Sequence, residues 1–222
     1  NAEQLYETIP NFHNTPERLR TLFEDAEKDP LGLAGSVREE LSYIRSVSSQ
    51  ACEMARMQRD GRLPIRVTHN DTKINNVLFD RNTNRALTII DLDTVMPGSS
   101  LYDFGDAVRF GASTAAEDEE DLSKIGLDME KYRLFTEGFL RETNGFLTEK
   151  EIGLLPLGVK VITCELAMRF LTDYIDGDRY FKVNSPTHNL ARAHAQMKLL
   201  TDIEVKEEEM YRVLMEIIRE GT

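Results

Sequence analysis

Residues 64–93 interrupt a chain that otherwise reads as helix, and that interruption limits the possible folds more than any other feature. "IRVTH", "NVLF" and "ALTIIDLD" are short β-rich runs, and "DRNTNR" between the last two has turn composition. Residues 76–92 are therefore expected to form a hairpin. The spacing of apolar residues around it is helical. "TPERLRTLFEDAEKD" (15–29) offers Thr15 as N-cap and Pro16 at the first helical position, with Leu19, Leu22 and Phe23 on one face. Ser36 through Arg59 carries Val37, Leu41, Ile44, Val47, Ala51, Met54 and Met57 along one side of a long helix closed by Gly61. Further helices are expected at 102–111, 128–143 and 148–176, the last broken near Gly153–Gly158, and at 186–202 and 204–219. With no internal repeat or low-complexity linker, the expectation is a mainly α chain with one small β-hairpin, α+β in class, residues 1–222 forming one unit.

Charge narrows the function classes. The chain has 27 basic against 39 acidic residues, a net charge of −12, which argues against a nucleic-acid partner because phosphate contacts need clustered Lys and Arg. Cys52 and Cys164 stand apart without metal-ligand spacing, as suits a reducing compartment. No apolar run of about 18 residues offers a membrane span, so a cytoplasmic location and no membrane partner are expected. "EDEED" (117–121) reads as a solvated acidic loop. Asn1 and "NAEQLYETIP" look like a start in mid-protein, and a fragment of a longer chain is expected.

The hairpin is flanked by chemistry-bearing residues. "RVTHNDTKINNVLFD" (66–80) holds His69, Asp71, Lys73 and Asn76, and "IIDLD" at the far end of the hairpin holds Asp91 and Asp93. Phosphoryl transfer from a nucleotide needs a carboxylate to take the proton of the attacking hydroxyl. It also needs an amide oxygen and a second carboxylate to hold the Mg²⁺ that bridges the phosphates. The catalytic loop H-R-D-x-x-x-x-N of protein kinases has the spacing seen from His69 to Asn76. A tight hairpin brings the two ends of 76–91 together, so Asn76 and Asp91 could share one ion. Ordinary turn residues are the competing reading of each position taken singly.

"VTHNDTKINNVLFD" with "TIIDLDTVMPGSSLYDFGDAVR" resembles the aminoglycoside phosphotransferase/choline kinase superfamily, and most of all the bacterial N-acetylhexosamine 1-kinases. "ETIPNFHNTPERL" and "SPTHNLARAHAQMKLL" are similar to that subgroup too. The resemblance implies the C-terminal lobe of the protein-kinase-like fold, ATP as co-substrate and Mg²⁺ as cofactor. It also implies phosphorylation of the anomeric hydroxyl of GlcNAc or GalNAc. Carried over, Asp71 is the base and Asn76 and Asp91 the magnesium ligands. His69 orients the loop through a backbone hydrogen bond, Lys73 steadies phosphate or the base, and Asp103 anchors the loop to the catalytic hairpin. Asp93 adds to the metal site or caps the next turn. No G-x-G-x-x-G and no strand lysine precede Asp71, and Lys28 lies in a charged helix. The nucleotide lobe is therefore expected to lie outside this chain, with no cofactor-binding residues here beyond the metal ligands.

For the acceptor, "VITCELAMRFLTDYI" (161–175) puts Glu165, Arg169 and Asp173 on one face of an apolar helix. That stripe is either a row of surface charges or a polar face turned to a hydroxyl-rich ligand. In the sugar kinases that the chain resembles, an Arg here and a Tyr just beyond contact the hexosamine; Arg169 and Tyr180 match them, with Glu165 alongside. The alternatives are an aminoglycoside, choline or homoserine acceptor, or a sugar-binding pseudokinase without turnover. The role of His13 is open, and His188 and His194 read as packing or surface residues.

Overall fold

The computed structural model describes residues 2–143 and 145–221; Asn1, where the sequence suggests a junction, lies outside them. The chain is mainly helical with two small antiparallel sheets, the architecture of the C-terminal lobe of a kinase-like fold. Helices α1 (Thr15–Lys28), α2 (Arg38–Ala51) and α3 (Glu53–Arg59) precede strand β1 (Arg66–Thr68) and the hairpin β2 (Val77–Phe79) with β3 (Ala86–Ile89). Strand β4 (Met96–Gly98) leads into α4 (Ser100–Gly111), α5 (Met129–Thr143), α6 (Glu149–Gly153), α7 (Leu155–Asp176) and α8 (His188–Glu220).

The core is built around α7. It is mostly apolar and buried on all sides, and only Arg169, Thr172 and Asp176 escape burial along its length. A helix of that kind must be surrounded. α1, α2, α4 and α8 surround it, contributing Leu22, Ile44, Phe104, Leu200 and Ile203 among others. α4 comes close because glycines face each other: a Cβ on Gly105 would lie 2.5 Å from the Gly158 carbonyl oxygen, and one on Gly158 2.5 Å from that of Leu101. Backbone atoms cannot step aside as a side chain can. Gly158→Ala is expected to force the helices apart and cost about 1–3 kcal/mol, read as a lower urea midpoint at unchanged slope.

Several helix boundaries differ from the sequence reading. The N-cap of α1 is Asn14, whose side chain accepts from Glu17 N, because the Thr15 hydroxyl is engaged across the core. The stretch from Ser36 to Arg59 is two helices, interrupted at Cys52 without a Pro or Gly to mark the break. The expected interruption near Gly153–Gly158 occurs at Leu154. The two terminal helices expected at 186–202 and 204–219 are one. Met197, Leu200, Ile203, Met210, Val213, Leu214 and Ile217 form an unbroken buried face, and the polar residues near 202 are used instead for lateral contacts. Asp202 accepts from Leu127 N at 2.7 Å and from Lys206 Nζ at 2.7 Å.

The hairpin expected at 76–92 is present as β2 and β3, its turn tied by Asp80 accepting from the amides of Asn82 and Thr83. A second pairing was not anticipated: β1 runs antiparallel to β4, with Thr68 opposite Met96. That pairing brings the segment leaving Thr68 and the segment arriving at Met96 to one place. The polar residues of both segments meet there.

Candidate active site

The loop after β1 is clamped from several sides. Asp103, in the first turn of α4, accepts from the amides of His69 at 2.9 Å and Asn70 at 2.7 Å. Burial raises the Asp103 carboxyl above its ordinary value, while those two backbone bonds pull the other way. Asn70 adopts a left-handed conformation, φ 66°, and its side chain donates to the carbonyls of Thr68 and Thr94. His69 Nδ1 accepts from Asp71 N at 3.3 Å, which leaves Nε2 to donate to the Ile90 carbonyl at 3.0 Å. Asn76 is buried and its Nδ2 donates to the Asp71 carboxylate at 2.8 Å and the Asp71 carbonyl at 2.9 Å. Lys73 Nζ lies 3.1 Å from the same carboxylate oxygen. Ile90 N donates to the Asn76 carbonyl at 2.9 Å, so Asp91 follows directly on a residue bonded to Asn76. Asp91 is exposed and left-handed at φ 62°.

Asp71 and Lys73 open into a cavity of about 210 Å³. Arg169, Phe170, Tyr180 and Phe181 line it as well. The Arg169 guanidinium lies over the rings of Phe12 at 5.1 Å, Tyr180 at 5.5 Å and Phe181 at 5.4 Å, and donates to the Tyr180 hydroxyl at 3.4 Å. Asp173 sets the position of Tyr180 by accepting from the amides of Arg179, Tyr180 and Phe181 at 2.9, 2.8 and 2.9 Å.

The profile of the phosphotransferase enzyme family matches residues 3–135. The chain belongs to this family. The matched span contains His69, Asp71, Lys73, Asn76, Asp91 and Asp103. α7 and Tyr180 lie beyond the matched span, which ends at residue 135. Kinases of this family act on small molecules with ATP and Mg²⁺.

Some expected residues of this phosphotransferase sit elsewhere than the sequence suggested. Glu165 does not face a ligand. It is fully buried, with one oxygen taken by His13 Nδ1 at 2.7 Å and the other by Thr15 Oγ1 at 2.9 Å. The polar stripe of α7 is thus split among three neighbours, because the helix is enclosed all round: Glu165 faces α1, Arg169 faces the cleft, and Asp173 faces the 179–181 turn. The acidic run is not simply solvated either. Glu117 lines the cleft and accepts from Arg109 at 2.8 Å, and Asp118 accepts from His188 at 3.1 Å.

The polar lining of the cleft includes Thr94, Asp106 and Arg109, which sequence reasoning passed over, and His13, whose role it left open. Arg109 is buried and bonded to Asp106 at 2.8 and 3.0 Å, an i,i+3 pair within an apolar helix that "GDAVR" displays in the sequence. Asp106 Oδ2 and Thr94 Oγ1 are buried without a hydrogen-bond partner among the described residues.

The donor set suits magnesium. Among the described residues no group of three or more His, Cys, Asp or Glu is arranged to hold a metal. Mg²⁺ needs no such cage, since it binds through one or two protein oxygens together with substrate phosphate. The Asn76 amide nitrogen is turned to Asp71, which leaves its hard oxygen for a cation, and Asp91 offers an exposed carboxylate.

Proposed function

We propose that this chain carries the catalytic and acceptor-binding residues of an ATP- and Mg²⁺-dependent sugar kinase acting on the anomeric hydroxyl of an N-acetylhexosamine. Asp71 accepts the proton of that hydroxyl as its oxygen attacks the γ-phosphorus of ATP and the bond to the β,γ-bridging oxygen breaks, releasing ADP. Lys73 and the Asn76 amide hold the Asp71 carboxylate in place. Asn76 Oδ1 and the Asp91 carboxylate would hold Mg²⁺, which supplies neutralisation of phosphate charge when bound. Arg169 donates to sugar oxygens and Tyr180 offers its ring to the sugar's apolar face.

The observation that carries the acceptor class is the aromatic cluster of Phe12, Tyr180 and Phe181, already filled by the Arg169 guanidinium. An aromatic cage open to a quaternary ammonium would favour choline. A cage occupied by an arginine presents directional donors, which suit hydroxyls. A polycationic aminoglycoside is disfavoured on the same ground, since Lys73, Arg109 and Arg169 balance Asp71, Asp106 and Glu117 along the cleft.

The test is ATP consumption by the complete gene product offered GlcNAc, GalNAc, glucose, choline, homoserine and an aminoglycoside. Turnover with the N-acetylhexosamines alone is expected. Arg169→Leu is expected to lower kcat/KM for the sugar about 10- to 100-fold, the loss of one or two charged hydrogen bonds, with most of it in KM. Turnover of a cationic acceptor and not of hexosamine would reverse the assignment.

A further inference from the structure

A single histidine joins the helical core to the peptide that carries the proposed base. His13 Nδ1 lies 2.7 Å from Glu165 Oε1, and Nε2 lies 2.9 Å from the carbonyl oxygen of Asn70. A carboxylate and a carbonyl only accept, so both ring nitrogens donate and the ring is an imidazolium. The side chain is 8% exposed and that of Glu165 0%. Tyr102 stacks on the ring with centroids 4.7 Å apart, and Phe12 tilts against it at 4.6 Å. The Tyr102 hydroxyl also donates to the His13 carbonyl at 3.1 Å.

The Asn70 carbonyl belongs to the peptide leading into Asp71. With φ at 66°, Asn70 occupies a region that residues other than glycine seldom adopt. Its amide, side chain and carbonyl are all held: by Asp103, by the carbonyls of nearby Thr68 and distant Thr94, and by His13. Such a conformation persists only where its surroundings impose it.

We propose that His13 is a positioning residue: held by Glu165, its imidazolium fixes the peptide between Asn70 and Asp71 and so sets the direction in which Asp71 presents its carboxylate to the acceptor. This rests on Asp71 being the base. The electrostatics support it. Burial disfavours the charged ring, yet the Glu165 charge, its hydrogen bond and the Asn70 carbonyl outweigh burial and hold the proton above the ordinary histidine value. Arg169 on α7 opposes and Asp103 on α4 assists, while Tyr102 contributes a neutral face.

Two substitutions separate positioning from plain stability. Asparagine places its amide nitrogen where Nδ1 sits, and glutamine places it where Nε2 sits. His13→Gln therefore keeps the bond to Asn70 and loses the one to Glu165, whereas His13→Asn does the reverse. Positioning predicts that His13→Asn in the complete gene product loses about tenfold or more in kcat with acceptor KM little changed. His13→Gln should stay within about threefold of the wild-type kcat although it is the less stable of the two. If kcat instead follows thermal stability, or both variants turn over at the wild-type rate, the proposal is overturned. A second readout does not depend on activity. ¹⁵N spectra of this chain at about pH 7 should show both His13 ring nitrogens protonated, and the Asp71 amide resonance should move in His13→Asn but not in His13→Gln. A neutral ring, or an unmoved Asp71 amide in His13→Asn, refutes the clamp. Absence of turnover with every acceptor, with the spectra as expected, refutes the kinase assignment and leaves the clamp standing.

Discussion

Asp71→Asn is expected to lose about 10²- to 10⁴-fold in kcat, the range associated with removing a positioned general base, while binding of the sugar is retained. The substitution changes no volume, and the asparagine oxygen can still accept from Asn76 Nδ2, so the loop keeps the bond seen at 2.8 Å. What disappears is the negative charge that Lys73 faces at 3.1 Å and the capacity to take a proton. The Arg169 and Tyr180 wall is untouched, so the acceptor dissociation constant measured by calorimetry should shift little. A drop in kcat smaller than tenfold would place the base elsewhere. Loss of sugar binding together with turnover would mean that Asp71 holds the acceptor rather than activating it.

The parts of this site that were legible in the sequence are those where chemistry crowds polar groups against local structure. His69, Asp71 and Asn76 lie within one short segment, and the hairpin returns the backbone to Asn76 at Ile90, next to Asp91. The β1–β4 pairing that fixes the loop at its base was invisible, because each strand has only three residues and β4 carries Pro97. Periodicity put Glu165, Arg169 and Asp173 on one face of α7 and could go no further. On a helix enclosed all round, the direction of a residue is decided by which neighbour covers it, and those neighbours come from distant sequence. His13 meets partners 152 and 57 residues away and sits in a loop without any periodic signal. Arg109 could have been noticed, since "GDAVR" places an acid and a base at i,i+3 inside an apolar helix, where burial is costly unless the two are paired.

The core beneath the loop should answer to pH through the pair of His13 and Glu165. Burial raises the Glu165 carboxyl, but His13, Arg169 and Thr15 outweigh it and hold it below its ordinary value of 4.5. A depressed acid contributes stability that is complete above 4.5 and is lost as pH falls through the folded value. His13, raised above 6.5, contributes stability that is complete below 6.5 and is lost as pH rises through its folded value. Between 4.5 and 6.5 both contributions are whole. Glu165→Gln therefore has its largest effect in that window, about 3–5 kcal/mol at about pH 5.5, because the buried ring loses the counter-ion that outweighs its burial. At about pH 8.5 the ring in the variant, its charge disfavoured by burial and Arg169, is neutral. Its Nδ1 can then accept from the glutamine amide while Nε2–H still reaches Asn70, and the cost should fall below about 1 kcal/mol. Urea unfolding of the wild type and variant at the two pH values checks this. An equal loss at both would mean that Glu165 acts through packing and its bond to Thr15, with no charge on His13 to balance.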